Sequence, residues 1–391
     1  GGFDIVVANP PYFRYEKKDK DQIEMIMKDS QFHPAKGGKI NAYELFLCRM
    51  KLLVNEGGSI SAIFQNSFLA DNASRGVREL YLREFNINRI DSFPERDDSN
   101  KRVFKSAKMS VAILDASNIK NKNYNFPTFF WKSKHINDES NAIKIEHNSN
   151  DIANISQTSM ILNLNPFELD LFKRFYNNKK KFSDYYDTYQ GELNVKNHIK
   201  YFTDDKNDYP ILRGAHIQRY YVTDKPSQTM KGFKKPTQYA DIENYIKDYA
   251  KSKKAFHHKE LRIAMQGISG ANDKTRIIST IIKPNHLLAN SCNYLIDRSL
   301  DKNFNIFLTI GILNSKLINW IFRKGSSNSN VNNYEIDNLR FPKINQNLFI
   351  KISSLVKERL KTKDKNIDIL IDKIIYDLYD LNGDDIKIIN E

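Results

Sequence analysis

The stretch that most constrains this chain is Phe3-Asp4-Ile5-Val6-Val7-Ala8-Asn9-Pro10-Pro11-Tyr12. Ile5 to Ala8 is a continuous apolar run, the pattern of a strand buried on both faces, as in a parallel sheet. Asn9 to Tyr12 then falls at the carboxyl end of that strand, the edge of an open α/β sheet where ligands bind. Pro10 has no N–H, and two successive prolines forbid both a helix and a continued ladder. The stiff loop that results leaves the Asn9 side chain and a backbone carbonyl as acceptors, with the Tyr12 ring beside them.

Two acceptors and a ring suit the holding of a planar amino group. With both amino hydrogens accepted, by Asn9 Oδ1 and the Pro10 carbonyl, the nitrogen is more electron-rich and is aimed. Positioning and electrostatics then supply the catalysis of attack on a sulfonium methyl, while Tyr12 stacks on the ring. The plain alternative is a strand that ends in a Pro-Pro turn. The tetrapeptide resembles the signature of amino methyltransferases that use S-adenosylmethionine. The same motif occurs in enzymes that methylate a glutamine amide or a guanine amino group, so by itself it leaves the substrate open.

At 391 residues, 40% of them hydrophobic, the chain has room for two or three domains with a sizeable core. It has no run of about 18 apolar residues, so no membrane span is expected, and no signal peptide precedes the first strand. Two cysteines, Cys48 and Cys292, cannot build a disulfide framework, which fits a reducing, bacterial-type cytoplasm. The formal net charge of +14 favours a polyanion as partner. The abundance of Lys, Asn and Ile is also the compositional mark of AT-rich genomes.

From residue 1 to about 160 the chain alternates helical and strand patterns. Asp19 to Lys28 reads as a short helix. Asn41-Ala42-Tyr43-Glu44 is a capping box with Asn in the Ser/Thr place. Tyr43, Phe46, Leu47, Met50, Leu53 and Val54 then form one apolar helix face, ended by Gly57-Gly58. Cys48 lies on this helix as packing. Ser59–Phe64, Ile87–Phe93 and 108–116 read as strands, with a helix over 73–84. Phe126–Trp131 and 142–146 read as an edge hairpin, and His147–Ser159 as a linker. Strand, helix, strand, helix, strand, strand is the second half of a doubly wound α/β sheet.

On these motifs the resemblance narrows. Leu53 to Gly58 before a strand, then Gln65-Asn66-Ser67-Phe68-Leu69, resembles the post-catalytic motifs of TaqI-type, gamma-class DNA adenine-N6 methyltransferases, as found in type IIG restriction-modification enzymes. Val103-Phe104-Lys105-Ser106-Ala107-Lys108 resembles their later motif, whose aromatic packs on the flipped adenine opposite the motif tyrosine. By that resemblance Phe104 takes this role; otherwise it is a core Phe at a strand start. A base extruded between Tyr12 and Phe104 is what chemistry on a duplex adenine requires. The family holds S-adenosylmethionine on a Gly-rich loop after its first strand. No such loop lies upstream of Gly1, so the chain reads as the C-terminal portion of a larger protein, with the cofactor site mostly in the N-terminal half.

The second region, 161–391, begins with a helix over Pro166–Tyr176 and the run Lys179-Lys180-Lys181, which reads as a solvated face. Tyr209 to Tyr221 interleaves aromatics with Arg213 and Arg219 around Gly214 and resembles the start of the family's specificity domain. Pro226 to Pro236 reads as a lysine-bearing loop. Leu261, Ile263 and Met265 alternate with Arg262 and Gln266, the pattern of a half-exposed strand that turns those two polar residues outward. The following loop carries Ser269, Asn272 and Lys274. Thr275–Ile282 returns as partner strand, with Arg276 near its start. These eight residues, Arg213, Arg219, Arg262, Gln266, Ser269, Asn272, Lys274 and Arg276, are the candidate DNA contacts; the alternative is an ordinary solvated β surface. Two apolar helical stripes, 349–360 and 367–378, close the chain.

The reading is therefore α/β: residues 1–160 as the second half of a Rossmann-like methyltransferase sheet, and 161–391 as an α+β target-recognition domain with C-terminal helices. Asn9, Pro10, Pro11 and Tyr12 are the expected catalytic residues, and Tyr12 and Phe104 the stacking pair. Double-stranded DNA and the N-terminal half of the same protein are the expected partners of a monomer. Two other readings stay open: a methyltransferase for a protein amide or RNA, and a non-catalytic DNA-specificity module. Neither the recognition sequence nor a nuclease in the parent protein is legible.

Overall fold

The computed structural model describes residues 2–121, 123–136, 138–155, 159–224, 237–269, 275–299, 305–326, 329–343 and 345–391. Two compact units emerge, one of residues 1–169 with 324–327, the other of 170–323 with 328–391.

The first unit is built on β1 (Phe3–Ala8), α1 (Lys20–Ile26), α2 (Ala42–Leu53), β2 (Val54–Gln65), α3 (Arg75–Glu84), β3 (Asn86–Phe93), β4 (Val111–Ser117), β5 (Asn125–Trp131), β6 (Ala142–Asn148) and α4 (Ser149–Ile155). Its strands form one sheet in the order β1-β2-β4-β3-β5-β6. β1 and β2 run parallel, joined through α1 and α2, as do β3 and β5. β4 is inserted antiparallel between β2 and β3, and β5–β6 is the edge hairpin. The result is the α/β class expected, a Rossmann-like mixed sheet.

Local chemistry explains α2. Asn41 and Glu44 close the capping box: the Asn41 N–H donates to Glu44 Oε2 at 3.0 Å and Asn41 Nδ2 to Glu44 Oε1 at 3.1 Å. Tyr43, Leu47 and Met50 are buried, whereas Phe46 is exposed. The helix stops earlier than expected. Val54 is already extended, and β2 starts there and runs through Gly57-Gly58. The register with β1 slips in this segment, and Gly57 takes a φ of +77°, a conformation that favours glycine.

The sheet has two unlike faces. On one, Val6, Ala8, Ile60, Ala62, Phe64, Leu114 and Phe130 pack with Tyr43, Leu47, Met50, Val77 and Tyr81 of α2 and α3. On the other, Phe93, Val111, Phe129 and Trp131 form a smaller cluster that takes in Tyr12, Ile63, Phe104 and Ile113. β1 departs from the expectation of burial on both faces. It pairs only with β2, and Phe3, Ile5 and Val7 are 61%, 70% and 72% exposed. An apolar run specifies that both faces can be buried, not which segment covers each of them. The expected linker 147–159 also differs in its described part. His147 is a buried residue of β6, and α4 follows at once.

After α5 (Pro166–Tyr176) the chain adds β7 (Tyr186–Gln190), β8 (Phe202–Thr203), β9 (Pro210–Leu212), β10 (Ile217–Gln218), β11 (Tyr221–Val222), β12 (Gln238–Ala240) and α6 (Ile242–Asp248). There follow β13 (Arg262–Gln266), β14 (Ser279–Ile282), β15 (Leu287–Leu288) and β16 (Cys292–Asp297). The described helices at the end are α7 (Ile306–Leu313), α8 (Lys316–Gly325), α9 (Asn333–Asp337), α10 (Gln346–Thr362), α11 (Asn366–Leu378) and α12 (Gly383–Asn390). The strands make an antiparallel sheet β14-β13-β16-β7, a sheet β15-β9-β12-β8 and the pair β10-β11, an α+β arrangement. β13 is not half-exposed. It is a central strand whose residues Arg262 to Met265 are all buried. α10 buries Phe349, Ile352 and Val356, and α11 buries Ile367, Ile371, Ile375 and Leu378; Leu370, expected inside, is 50% exposed.

Candidate functional site

Asn9-Pro10-Pro11-Tyr12 leaves the carboxyl end of β1, and the chain beyond it is pinned at several points. The Tyr12 hydroxyl donates to the Ile63 carbonyl of β2 at 3.2 Å. Arg14 bridges to Asn41. The Ala42 N–H donates to the Phe13 carbonyl at 3.0 Å and the Tyr15 N–H to the Ile40 carbonyl at 2.9 Å. The N-terminus of α2 therefore holds the segment after the motif. Asn41 serves both sides, accepting from Arg14 Nε at 3.1 Å while it caps the helix.

Within this frame Pro10 is buried and Asn9 is exposed. The Asn9 side chain makes no hydrogen bond to any described residue, so its donor and acceptor are available. Tyr12 is half-buried and faces Phe104, with ring centroids 5.6 Å apart and planes at 63°. Burial pushes the Tyr12 phenol up to about 12, so it stays a neutral donor to Ile63 at physiological pH.

The floor beneath these rings comes from residues that the sequence reading did not single out. Trp131 is stacked with Phe93 and Phe129 at 6.1 Å each. Its Nε1 donates to Asp91 Oδ1 at 2.8 Å. Arg89 holds the same carboxylate bidentately, at 2.8 Å for both bonds, and its guanidinium lies 3.9 Å from the Phe129 ring centroid. Asp91 is thus a buried carboxylate with both oxygens hydrogen-bonded, which holds the indole in place. Arg89 and Asp91, two residues apart in β3 and so on one face of the strand, were the available local signal.

The candidate DNA contacts are dispersed, and three of them face inward. Arg262 is fully buried in an ion pair with Glu192, so its outward placement is corrected. Alternation along β13 could not show that its partner lies 70 residues away. Arg276 is also fully buried and donates to Ser269 Oγ at 2.9 Å; Ser269 is itself buried. Arg276 precedes β14 and does not open it. Gln266 is half-buried and donates to the Ile217 carbonyl at 2.8 Å. Arg213 donates to Gln238 Oε1 at 2.7 Å, and Arg219 to the Asn314 carbonyl at 2.7 Å with Asp368 3.7 Å away. Asn272, Lys274 and the loop 226–236 lie outside the described residues.

The first unit brings the exposed Asn9 side chain and the Tyr12 and Phe104 rings to one edge of its sheet. Among the described residues, no glycine-rich turn follows the carboxyl end of a strand in its sheet. Gly37-Gly38 lies in the loop before α2, and a Cβ on Gly37 would stand 2.0 Å from the Ala73 carbonyl oxygen. That contact leaves no cradle there.

Comparison with known proteins adds a family to this geometry. Residues 1–104 match the family model described as Eco57I restriction-modification methylase. Over 87 residues the chain is 29% identical to the type II methyltransferase M.BanIII of Aneurinibacillus aneurinilyticus, a match that covers 22% of this chain and 14% of that protein. Among solved structures it is similar to the type IIL restriction-modification enzyme MmeI, determined in complex with DNA. The TM-score is 0.56 at 13% identity, over 97% of this chain and 55% of that one. The chain thus spans about half the length of that enzyme. At such identity the likeness concerns the fold, a methyltransferase-type α/β sheet followed by a further domain. The resemblance to restriction-modification methyltransferases drawn from the motifs is borne out by the family match.

Proposed function

We propose that this chain is the catalytic-loop and target-recognition portion of a DNA adenine-N6 methyltransferase from a restriction-modification enzyme. The observation that carries the reading is the meeting of Tyr12 and Phe104 beside an uncommitted Asn9 at the carboxyl edge of a sheet. The match of residues 1–104 to a methylase family supports it. The methyl donor would be S-adenosylmethionine, which supplies a sulfonium methyl; its binding belongs to a preceding segment of a longer protein. The expanse of exposed Phe3, Ile5 and Val7 on β1 is consistent with such a segment covering that face.

In this reading the chain's own residues hold and aim the acceptor. Asn9 Oδ1 and the Pro10 carbonyl accept the two amino hydrogens of the adenine. Burial of Pro10 and the Tyr12–Ile63 hydrogen bond keep these acceptors in one place, which lowers the entropic part of the barrier. The Tyr12 and Phe104 rings now touch edge to face. A flipped base that enters between them exchanges that one contact for two stacks. The second unit, residues 170–323 and 328–391, then supplies target recognition.

The test is Asn9→Ala in the full-length parent. Because Asn9 is exposed and carries no structural hydrogen bond, the fold should be untouched. Transfer of labelled methyl groups should fall by about 10²–10³, with duplex affinity unchanged. Transfer at the wild-type rate overturns the mechanism.

A further inference from the structure

The two rings of the candidate base pocket are held in different ways. Tyr12 follows β1 closely, and its hydroxyl is anchored to the Ile63 carbonyl of β2. Phe104 lies within residues 94–110, which join β3 to β4 and form neither helix nor strand. It meets the sheet through the apolar cluster of Phe93, Val111, Phe129 and Trp131. A base that enters between the rings removes the edge-to-face contact of Phe104 with Tyr12. The position of Phe104 then depends on the apolar contacts that remain and on how its own backbone is held.

That backbone is strapped by Arg102. Its Nη1 donates to the Arg96 carbonyl at 3.1 Å, its Nε to the Lys105 carbonyl at 3.2 Å, and its Nη2 to the same Lys105 carbonyl. Lys105 is the residue after Phe104, so the fork grips the chain beside the ring-bearing residue and ties it back to Arg96. The Arg96 end is itself fixed. Glu95 Oε1 accepts the N–H groups of Asp97 and Asp98 at 2.8 and 3.0 Å, and the Asp98 carbonyl accepts those of Lys101 and Arg102 at 3.2 and 3.0 Å. Another tie across the loop, Lys108 to Asp97 at 3.0 Å, joins side chains 65% and 60% exposed, a kind of pair that adds little. Arg102 is half-buried, and its planar guanidinium reaches two carbonyls at once from a fixed geometry, unlike the single ammonium of a lysine.

We propose that Arg102 is a positioning residue for capture of the target base. By clamping the Arg96 and Lys105 carbonyls it holds the Phe104 ring at stacking distance from a base that lies on Tyr12. This rests on the proposed role of Phe104 and adds the residue through which that ring is placed. The effect of Arg102 passes through Phe104, so it disappears when the ring is removed.

The experiment is a double-mutant cycle in the full-length parent, with Arg102→Ala, Phe104→Ala and the double variant. The readouts are the 2-aminopurine fluorescence gain at the target position and kcat/KM for methyl transfer. Arg102→Ala should lower both, with kcat/KM down by about tenfold, inside the roughly 5–150-fold span of one base–aromatic stack. The double variant should be no worse than Phe104→Ala alone, because the strap then has no ring to place. Arg102→Lys, which reaches one carbonyl, should recover part of the loss. Losses that add in full would show Arg102 acting apart from Phe104, through a phosphate contact or loop stability, and overturn the proposal. A wild-type response of Arg102→Ala beside an impaired Phe104→Ala overturns it as well, while the role of Phe104 stands. A wild-type response of Phe104→Ala removes the reading of Phe104 itself, and the proposal with it. Should Arg102→Ala fail to fold, the same cycle run with Arg102→Lys decides.

Discussion

Glu192→Ala should destabilise the second unit by about 3–5 kcal/mol, the range for stranding one member of a buried ion pair. Neither side chain of the Arg262–Glu192 pair is exposed at all. Glu192 Oε1 accepts from Arg262, and Oε2 accepts the N–H of Leu288 at 2.9 Å. The pair therefore ties β13 of one sheet to β15 of another. Without the carboxylate, Arg262 keeps only the His286 carbonyl and the Tyr294 ring, 4.8 Å from its guanidinium carbon. The Leu288 N–H loses its acceptor too, a loss of about 1–3 kcal/mol that overlaps with the first. Urea unfolding followed by tryptophan and tyrosine fluorescence reads the effect. With a slope of about 2–3 kcal/mol/M for a unit of this size, the midpoint should fall by about 1–2.5 M. The double variant Glu192→Leu/Arg262→Met leaves no charge behind and should lose much less. A Glu192→Ala midpoint within about 0.3 M of wild type would refute the reasoning, and return Arg262 to the list of surface cations.

Burial lifts the Asp372 carboxyl to about 6, although it accepts the Lys316 N–H at 2.8 Å. Its folded pKa then exceeds the unfolded value of about 3.9, so the native state binds the proton more tightly and stability declines as pH rises from about 4 to about 6. Asp372→Asn should flatten that decline, worth on the order of 2–3 kcal/mol; identical Tm–pH profiles for the two proteins would exclude it. In the full-length parent, Phe104→Ala and Tyr12→Ala should each reduce the 2-aminopurine fluorescence gain at the target position, since a base–aromatic stack is worth roughly 1–3 kcal/mol. An undiminished gain in the Phe104 variant would show that another residue closes the base pocket. Calorimetry of this chain alone with S-adenosylmethionine should give little or no heat, and stoichiometric micromolar binding would relocate the cofactor site into these residues.

The sequence alone determined the elements whose signals are local. Asn9-Pro10-Pro11-Tyr12 after an apolar run marks a strand end with free acceptors because prolines act on their own backbone and need no distant partner. The capping box at Asn41–Glu44 is legible for the same reason: its donors and acceptors lie within one turn. Family motifs pointed to Phe104, and the structure holds its ring 5.6 Å from Tyr12 across 92 positions of chain. The floor of Phe93, Phe129 and Trp131 was not legible, since it depends on β5 lying parallel to β3. Nor was the end of α2, where the shifted pairing with β1 took Val54 to Gly58 into a strand.

Tertiary structure decided which charges face solvent and which faces are covered. Arg262 alternates with Ile263 as a surface residue would, yet Glu192 draws it inside, and Arg276 turns inward to Ser269. In the other direction, Ile5 and Val7 read as core and lie bare. The physical reason is common to both. Side-chain periodicity records how a strand divides its residues between two faces, whereas burial depends on what packs against each face. That partner comes from sequence far away, and the Coulomb and desolvation terms it settles are large enough to override the local pattern.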